Sequence, residues 1–292
     1  MENTIGRQST TTVAILGAGG KIGTRITTKL SRAGYRTLPV EISGAGADRV
    51  RALGMEVFAE SEALAAADAV VLAIPDSAIG RAAREIEGRL RAGSVVIVLD
   101  AAAPHADVLP RNRQDISYFV CHPCHPPLFS DLERSEERRD YFGGVAPQGV
   151  LCALMSGPEE HYRLGEELAS TMFAPVFRTH RVTVDQLALL EPGLTEIVTL
   201  TLVDAICRAL EECVRRGVPR EAATDFLLGH LNVEFAMWLG KAPKVPSDAA
   251  LQLIEWARGR IFRDDWLRVL DDGEIRRAVE LIAGAPQPGA AD

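Results

Sequence analysis

Val13-Ala14-Ile15-Leu16-Gly17-Ala18-Gly19-Gly20-Lys21-Ile22-Gly23 is the stretch on which the fold turns. Four apolar residues stop at a glycine, as in a strand buried on both faces of a parallel sheet. From Lys21 to Ala33, Ile22, Ile26 and Leu30 recur at four-residue spacing and Gly34 closes the run, so a helix follows the turn directly. The first N–H groups of such a helix have no partner within it, and with the helix dipole they favour an anion. Glycines suit the turn because it is tight and because the backbone must approach a diphosphate with no Cβ in the way. Gly17 and Gly19 supply the first two glycines of the usual dinucleotide pattern, with Ile22 in its last place. Read one residue later, Ala18, Gly20 and Gly23 fit, with alanine first. The expected cofactor contacts are therefore Gly17, Ala18, Gly19, Gly20, Lys21, Ile22 and Gly23.

The next strand, Thr37 to Val40, ends in the acid Glu41, 18 residues after Gly23. A carboxylate there accepts hydrogen bonds from the adenosine ribose hydroxyls and repels a 2′-phosphate, which favours NAD over NADP. Arg36 precedes that strand and is poorly placed to serve NADP. Further on, apolar runs at 69–74, 94–99, 117–121, 150–155 and 176–179 alternate with helical patterns at 47–54, 62–67, 77–90 and 158–172. That alternation predicts a doubly wound, mostly parallel α/β sheet with binding at the carboxyl ends of its strands. Asp76, after the run at 69–74, reads first as a helix N-cap with Ser77.

Beyond Val182 the pattern becomes wholly helical: 182–216, broken at Pro192, then 220–239 and 249–262. We expect a dinucleotide-binding domain over 1–181 and a helical substrate and dimerisation domain over 182–292. Leu194 to Leu210 is apolar on most of its circumference, so it must be buried, and a homodimer is expected. The polar start, 1–12, and the Gly, Pro and Ala-rich end, 283–292, read as loose tails.

Composition narrows the function class. The 292 residues are 47% hydrophobic and 25% charged, ordinary for a globular protein, and long enough for two cores. A formal net charge of −8 argues against a nucleic-acid surface, and no run approaches a membrane span. Five cysteines without a signal-peptide pattern suggest free thiols in a reducing cytoplasm.

The chemistry is expected around Val120-Cys121-His122-Pro123-Cys124-His125-Pro126-Pro127, at the carboxyl end of a strand. No second Cys/His pair follows at zinc-site spacing, which argues against a structural zinc. The prolines stiffen the segment. A neutral imidazole can take the proton of a substrate hydroxyl as hydride leaves the same carbon, or it can bind a divalent metal with a carboxylate partner. His122 and His125 are the candidates. Glu191, in Leu189-Leu190-Glu191-Pro192, is a carboxylate in an apolar helical region and must be paired, hydrogen-bonded or metal-bound. His230 and Asn232 are candidates for substrate contact.

The glycine turn, Glu41, the His122-Pro123 dipeptide and the terminal helices resemble prephenate dehydrogenase and 6-phosphogluconate dehydrogenase relatives. In prephenate dehydrogenases a histidine of a His-Pro motif contacts the substrate hydroxyl, and His122 is the matching position. The stretch His125-Pro126-Pro127 is an extra element and leaves the role open between the two histidines. More closely, His122, Tyr141-Phe142-Gly143-Gly144, Leu189-Leu190-Glu191-Pro192 and Phe226 to Asn232 are similar to the D-apionate oxidoisomerase family, over nearly the whole chain. That resemblance implies NAD-dependent oxidation of a branched sugar acid, D-apionate to 3-oxo-isoapionate, coupled to a carbon-skeleton rearrangement. A metal held by His122 and Glu191 would polarise neighbouring substrate oxygens. The alternatives are a plain hydroxy-acid dehydrogenase without rearrangement and a non-catalytic NAD sensor.

Overall fold

The computed structural model describes residues 11–282; apart from residues 11 and 12, the two expected tails lie outside them. The strands are β1 (Thr12–Leu16), β2 (Arg36–Val40), β3 (Ala69–Leu72), β4 (Val95–Val98), β5 (Ser117–Pro123), β6 (Gln148–Ser156) and β7 (Val176–Arg181). They form one sheet in the order β2-β1-β3-β4-β5-β6-β7. β1 to β5 are parallel, as the alternation predicts, and β6 runs antiparallel to β5 with β7 parallel to β6. Val, Ile and Ala in β1, β3 and β4 are buried throughout, because helices cover both faces.

Two apolar layers flank the sheet. On one side lie Val13, Ile15, Val71, Ile97, Phe119 and residues of α1 (Lys21–Arg32) and α7 (Glu159–Met172); on the other lie Ala14, Leu72, Val96, Val98 and residues of α4 (Asp76–Glu87). Each such side chain contributes about 1.5–3 kcal/mol on leaving water. Smaller helices complete this unit: α2 (Gly44–Ala52), α3 (Glu60–Ala66), α5 (Ala102–His105), α6 (Ser135–Arg138) and α8 (Val184–Ala188).

The strand order reverses at β1, whose neighbours β2 and β3 follow it in sequence on opposite sides. Such a reversal opens a crevice at the carboxyl ends of the strands. There Gly17 has φ +79°, a left-handed backbone that suits glycine. Gly23 faces the Gly17 carbonyl and the Ala18 backbone with no room for a Cβ, so α1 sits hard against the turn. Packing leaves no room for a Cβ at Gly17, Gly19 or Gly23, a spacing one residue longer than either sequence register. Because the obstacle is backbone, Gly23→Ala should lower stability by about 1–3 kcal/mol, and weaken dinucleotide uptake with it. A thermal melt and a binding titration on the same variant check both effects.

The helical region differs from the expected 182–216 helix. α8 is followed by a helical segment, Leu189–Leu200, interrupted at Glu191, which is extended at φ −140°, ψ 115° and precedes a cis Pro192. α9 (Thr201–Arg215), α10 (Arg220–Trp238), α11 (Asp248–Ile261) and α12 (Asp272–Ile282) follow. The chain divides into two compact units: 193–275 forms one, and 11–192 with 276–282 the other. α12, unread in the sequence, thus ends in the first unit, where Val279 is fully buried.

Candidate active site

Glu41 ends up built into the crevice. One carboxylate oxygen accepts the Gly19 N–H at 2.9 Å, and the other accepts the N–H groups of Ile42 (3.0 Å) and Ser43 (2.9 Å) and the Ser43 hydroxyl (3.0 Å). Burial pushes this carboxyl up, but those hydrogen bonds outweigh it and hold the group below the usual carboxylate range. The sequence placed Glu41 at the strand end; it did not foresee that glycine-turn amides would be its partners. Arg49, passed over in the sequence, donates from Nε to the Gly19 carbonyl at 2.6 Å. Glu41, Arg49, Ile42 and Arg81 line a cavity of about 410 Å³ that also touches Gly17 and Gly20. Arg36 does not precede the strand but is the first residue of β2, paired with Thr12 at the end of the sheet away from the glycine turn.

The second part of the site lies at the ends of β4 and β5. His122 and Pro123 are the last residues of β5 rather than a following loop, so the imidazole is held by the β5–β6 ladder opposite Leu151. His122 Nδ1 is 3.0 Å from the Leu99 carbonyl, 3.3 Å from Glu191 Oε2 and 3.9 Å from Asp100 Oδ2. A carbonyl only accepts, so Nδ1 carries the proton and Nε2 keeps its lone pair in the neutral ring. Burial lowers the His122 pKa from 6.5, against the opposing pull of the Leu99 carbonyl and Asp100. The ring is neutral at pH 7 and fit to accept a proton.

Asp100, His122 and Glu191 offer ligand atoms that all lie within 4.8 Å of one another, the one such cluster among the described residues. Two carboxylates and an imidazole are a donor set suited to a divalent cation. The sequence brought forward His122 and Glu191 but missed Asp100. The signal was present, an acid directly after the apolar run 94–99. Asp76 is in the first turn of α4, with Pro75 as N-cap. Asp100 Oδ1 accepts the N–H of Ala102, the first residue of α5, at 2.6 Å, one position before the N-cap Ala101. α5 is in turn tied to α8 by His105 Nδ1 and Asp185 Oδ1 at 3.0 Å.

His125 is near its neighbour, with ring centroids 6.3 Å apart and the planes at 88°. Its backbone is left-handed, φ +59°, a conformation that non-glycine residues adopt at some cost. Its Nδ1 faces the Phe142 carbonyl at 3.3 Å, which again leaves Nε2 outward. Cys121 is buried opposite Cys152 and serves the core; burial pushes its thiol up. His230 and Asn232 lie in α10 of the second unit. The His230 ring stacks on Phe226 at 4.0 Å, and its Nδ1 is 2.7 Å from the Phe226 carbonyl.

A glycine turn at a sheet's reversal point, with a half-buried imidazole three strands away, places the chain among the NAD(P)-dependent oxidoreductases of Rossmann type. Residues 12–104 match the family described as NADP oxidoreductase coenzyme F420-dependent, and residues 130–283 match phosphogluconate dehydrogenase (decarboxylating) C-term. The chain belongs to the D-apionate oxidoisomerase family: it is 48% identical over 272 residues to the D-apionate oxidoisomerase of Cupriavidus necator, covering 92% of this chain and 98% of that one. Two solved structures are similar across both units. One is a semialdehyde dehydrogenase NAD-binding protein from Cupriavidus necator in complex with calcium and NAD, with TM-score 0.92, 47% identity, 94% of this chain and 100% of that chain. The other is a putative oxidoreductase from Jannaschia sp. CCS1, with TM-score 0.91, 49% identity, 94% of this chain and 100% of that chain.

Proposed function

We propose that this protein oxidises D-apionate with NAD and rearranges its carbon skeleton to give 3-oxo-isoapionate. The observation that carries the reading is the grouping of Asp100, His122 and Glu191 at the ends of β4 and β5. Gly17, Ala18, Gly19, Gly20, Lys21, Ile22, Gly23 and Glu41 would bind the dinucleotide, and the Glu41 carboxylate favours NAD over NADP. His122 Nε2 would take the hydroxyl proton as the carbinol hydride leaves for the nicotinamide, with His125 as the second candidate for that proton. Asp100 and Glu191 would hold a divalent cation, and where His122 Nε2 completes that ligand set the proton passes to His125 instead; the relative solved with calcium and NAD supports both groups. When bound, the cation supplies an electrophile for the substrate's neighbouring oxygens, which acyl migration needs. His230 and Asn232 are proposed substrate contacts, read out as a rise in KM when either is replaced by alanine. Residues 1–181 would serve the cofactor, and 182–292 the substrate and the dimer.

The test is direct. Purified protein with D-apionate and NAD should form NADH, and NMR should show a product with a rearranged skeleton. A product that keeps the D-apionate skeleton would make it a plain dehydrogenase. NAD binding without turnover of any sugar acid would make it a sensor.

The second unit supports a homodimer. α9, α10 and α11 bury none of their own residues, and Leu200, Phe226, Leu228, Trp238, Leu253 and Trp256 are exposed. So much apolar surface on one unit calls for a partner, and a second copy satisfies it by symmetry. Light scattering should give twice the chain mass at micromolar concentration; a monomer there would overturn the assignment. Among the described residues no helix is long and apolar enough to cross a membrane. With five free cysteines, the cytoplasm is the proposed compartment.

A further inference from the structure

The Tyr141-Phe142-Gly143-Gly144 segment takes no part in the mechanism above, yet it links the cofactor helix to the second imidazole. The Phe142 carbonyl faces two donors. Arg25 Nη1, from the second turn of α1, reaches it at 3.1 Å, and His125 Nδ1 lies 3.3 Å away. Lys29, one turn further along α1, donates to the Gly144 carbonyl at 3.1 Å. The Asp140 carboxylate accepts the N–H groups of Val145 (2.7 Å) and Ala146 (2.9 Å) and closes the loop on itself. Gly143 and Gly144 have φ +78° and +117°, and a Cβ on Gly143 would strike the buried Gln148 amide, so this loop shape demands the two glycines. The exposed Phe142 ring stands edge-on to His125, with centroids 6.1 Å apart, and Lys21 Nζ is 5.1 Å from its centre.

Arg25 is an expensive way to hold one carbonyl. Its Nε and Nη2 are buried and find no acceptor among the described residues, and its guanidinium lies against Gly144. Leaving buried donors unmatched costs about 1–3 kcal/mol each. A neutral side chain would fill the same space without burying unmatched donors; what it would lose is the pull of the Asp140 carboxylate at the base of the loop and the bond to the Phe142 carbonyl. His125 carries a cost of its own in its left-handed backbone. Two unfavourable placements meeting at one carbonyl indicate a geometry kept for its use.

We propose that Arg25 is a positioning residue: through the Phe142 carbonyl it fixes the His125 imidazole relative to α1, so that the helix at the dinucleotide turn and a substrate-facing ring move as one piece. This deepens the reading given above and rests on His125 acting on the substrate. Arg25 is not among the residues proposed above to hold the cofactor or the substrate. Its loss should therefore lower turnover and leave cofactor affinity in place.

The experiment compares Arg25→Met, Arg25→Lys and His125→Ala with the wild type. Arg25→Met keeps the stem and removes the guanidinium; kcat should fall about tenfold, since small misplacements of a reacting group are costly. Its NADH dissociation constant, read by fluorescence, should stay within about twofold, and hydrogen exchange should quicken at residues 140–146. Arg25→Lys, which keeps a cationic donor, should recover most of kcat and slow that exchange again. Should the Met variant fail to fold, Arg25→Gln takes its place with the same expected outcomes, and unchanged kcat with unchanged exchange at residues 140–146 in that variant overturns the proposal. Unchanged kcat and exchange in Arg25→Met would overturn it, as would a loss of NADH affinity in step with kcat. Full activity of His125→Ala would overturn it too, while leaving the D-apionate reading intact. Failure of the wild type to turn over D-apionate would strike that reading alone, because loop exchange and NADH binding are measured without substrate.

Discussion

His122→Ala should lose about 10²–10⁴-fold in kcat with D-apionate, the range for removing a positioned general base. NADH should still bind, because none of the glycine-turn residues touches this ring. The size of the effect follows from how the imidazole is prepared. The Leu99 carbonyl fixes the proton on Nδ1, which leaves Nε2 as the only acceptor. Burial keeps the ring neutral where a solvent-exposed histidine would be partly protonated at mildly acidic pH. β5 holds the backbone in register with β6, so the ring cannot swing far. The small cavity left by alanine admits exogenous imidazole, and partial recovery of kcat on its addition is expected. A variant that loses less than fivefold would move the base to His125. Stopped-flow absorbance of NADH formation separates the hydride step from product release and shows which of them slowed.

The parts of this architecture that could be read from sequence are those with strong periodicity. Val13 to Gly23 gave its strand, turn and helix because an apolar run, glycines and a four-residue repeat agree there. Strand direction was not readable: Val150 to Met155 looks like a strand either way, and only the structure shows β6 reversing against β5. Which glycines the turn needs for packing was not readable, because the constraint is Gly23 meeting the Gly17 carbonyl, a tertiary contact. Glu191 stood out because a carboxylate beside proline in an apolar run needs a reason. Asp100 did not, because a lone acid after a strand is common on any α/β surface. Its meaning appears only when β4 and β5 lie side by side and Glu191 arrives from 91 positions further along the chain. The partners of Glu41 were hidden for the same reason, since Gly19 reaches it across 22 residues.

Glu191→Gln should show opposite effects on activity and stability. Without a cation, the Asp100 and Glu191 oxygens lie within 4.8 Å of each other beside a neutral imidazole. Two like charges at that range repel by about 3 kcal/mol at the effective dielectric of a protein site. Glutamine keeps the shape and a carbonyl oxygen near His122 but removes one charge. The apo variant should therefore melt higher, by up to about 6–12 °C at about 2–4 °C per kcal/mol. Activity should fall about 10²-fold or more, because the charge that holds the proposed cation and steadies its electrophilic role is gone. Calcium or magnesium should raise the melting temperature of the wild type, where it relieves the repulsion, and barely that of the variant. Chelation should bring the wild-type melting temperature below that of the variant and its activity down to the variant's level, and a divalent ion should restore both. A structural ion pair between Glu191 and His122 would give the reverse sign, with the variant melting lower. Full wild-type activity after exhaustive chelation would remove the cation from the mechanism and leave Glu191 to orient His122 alone.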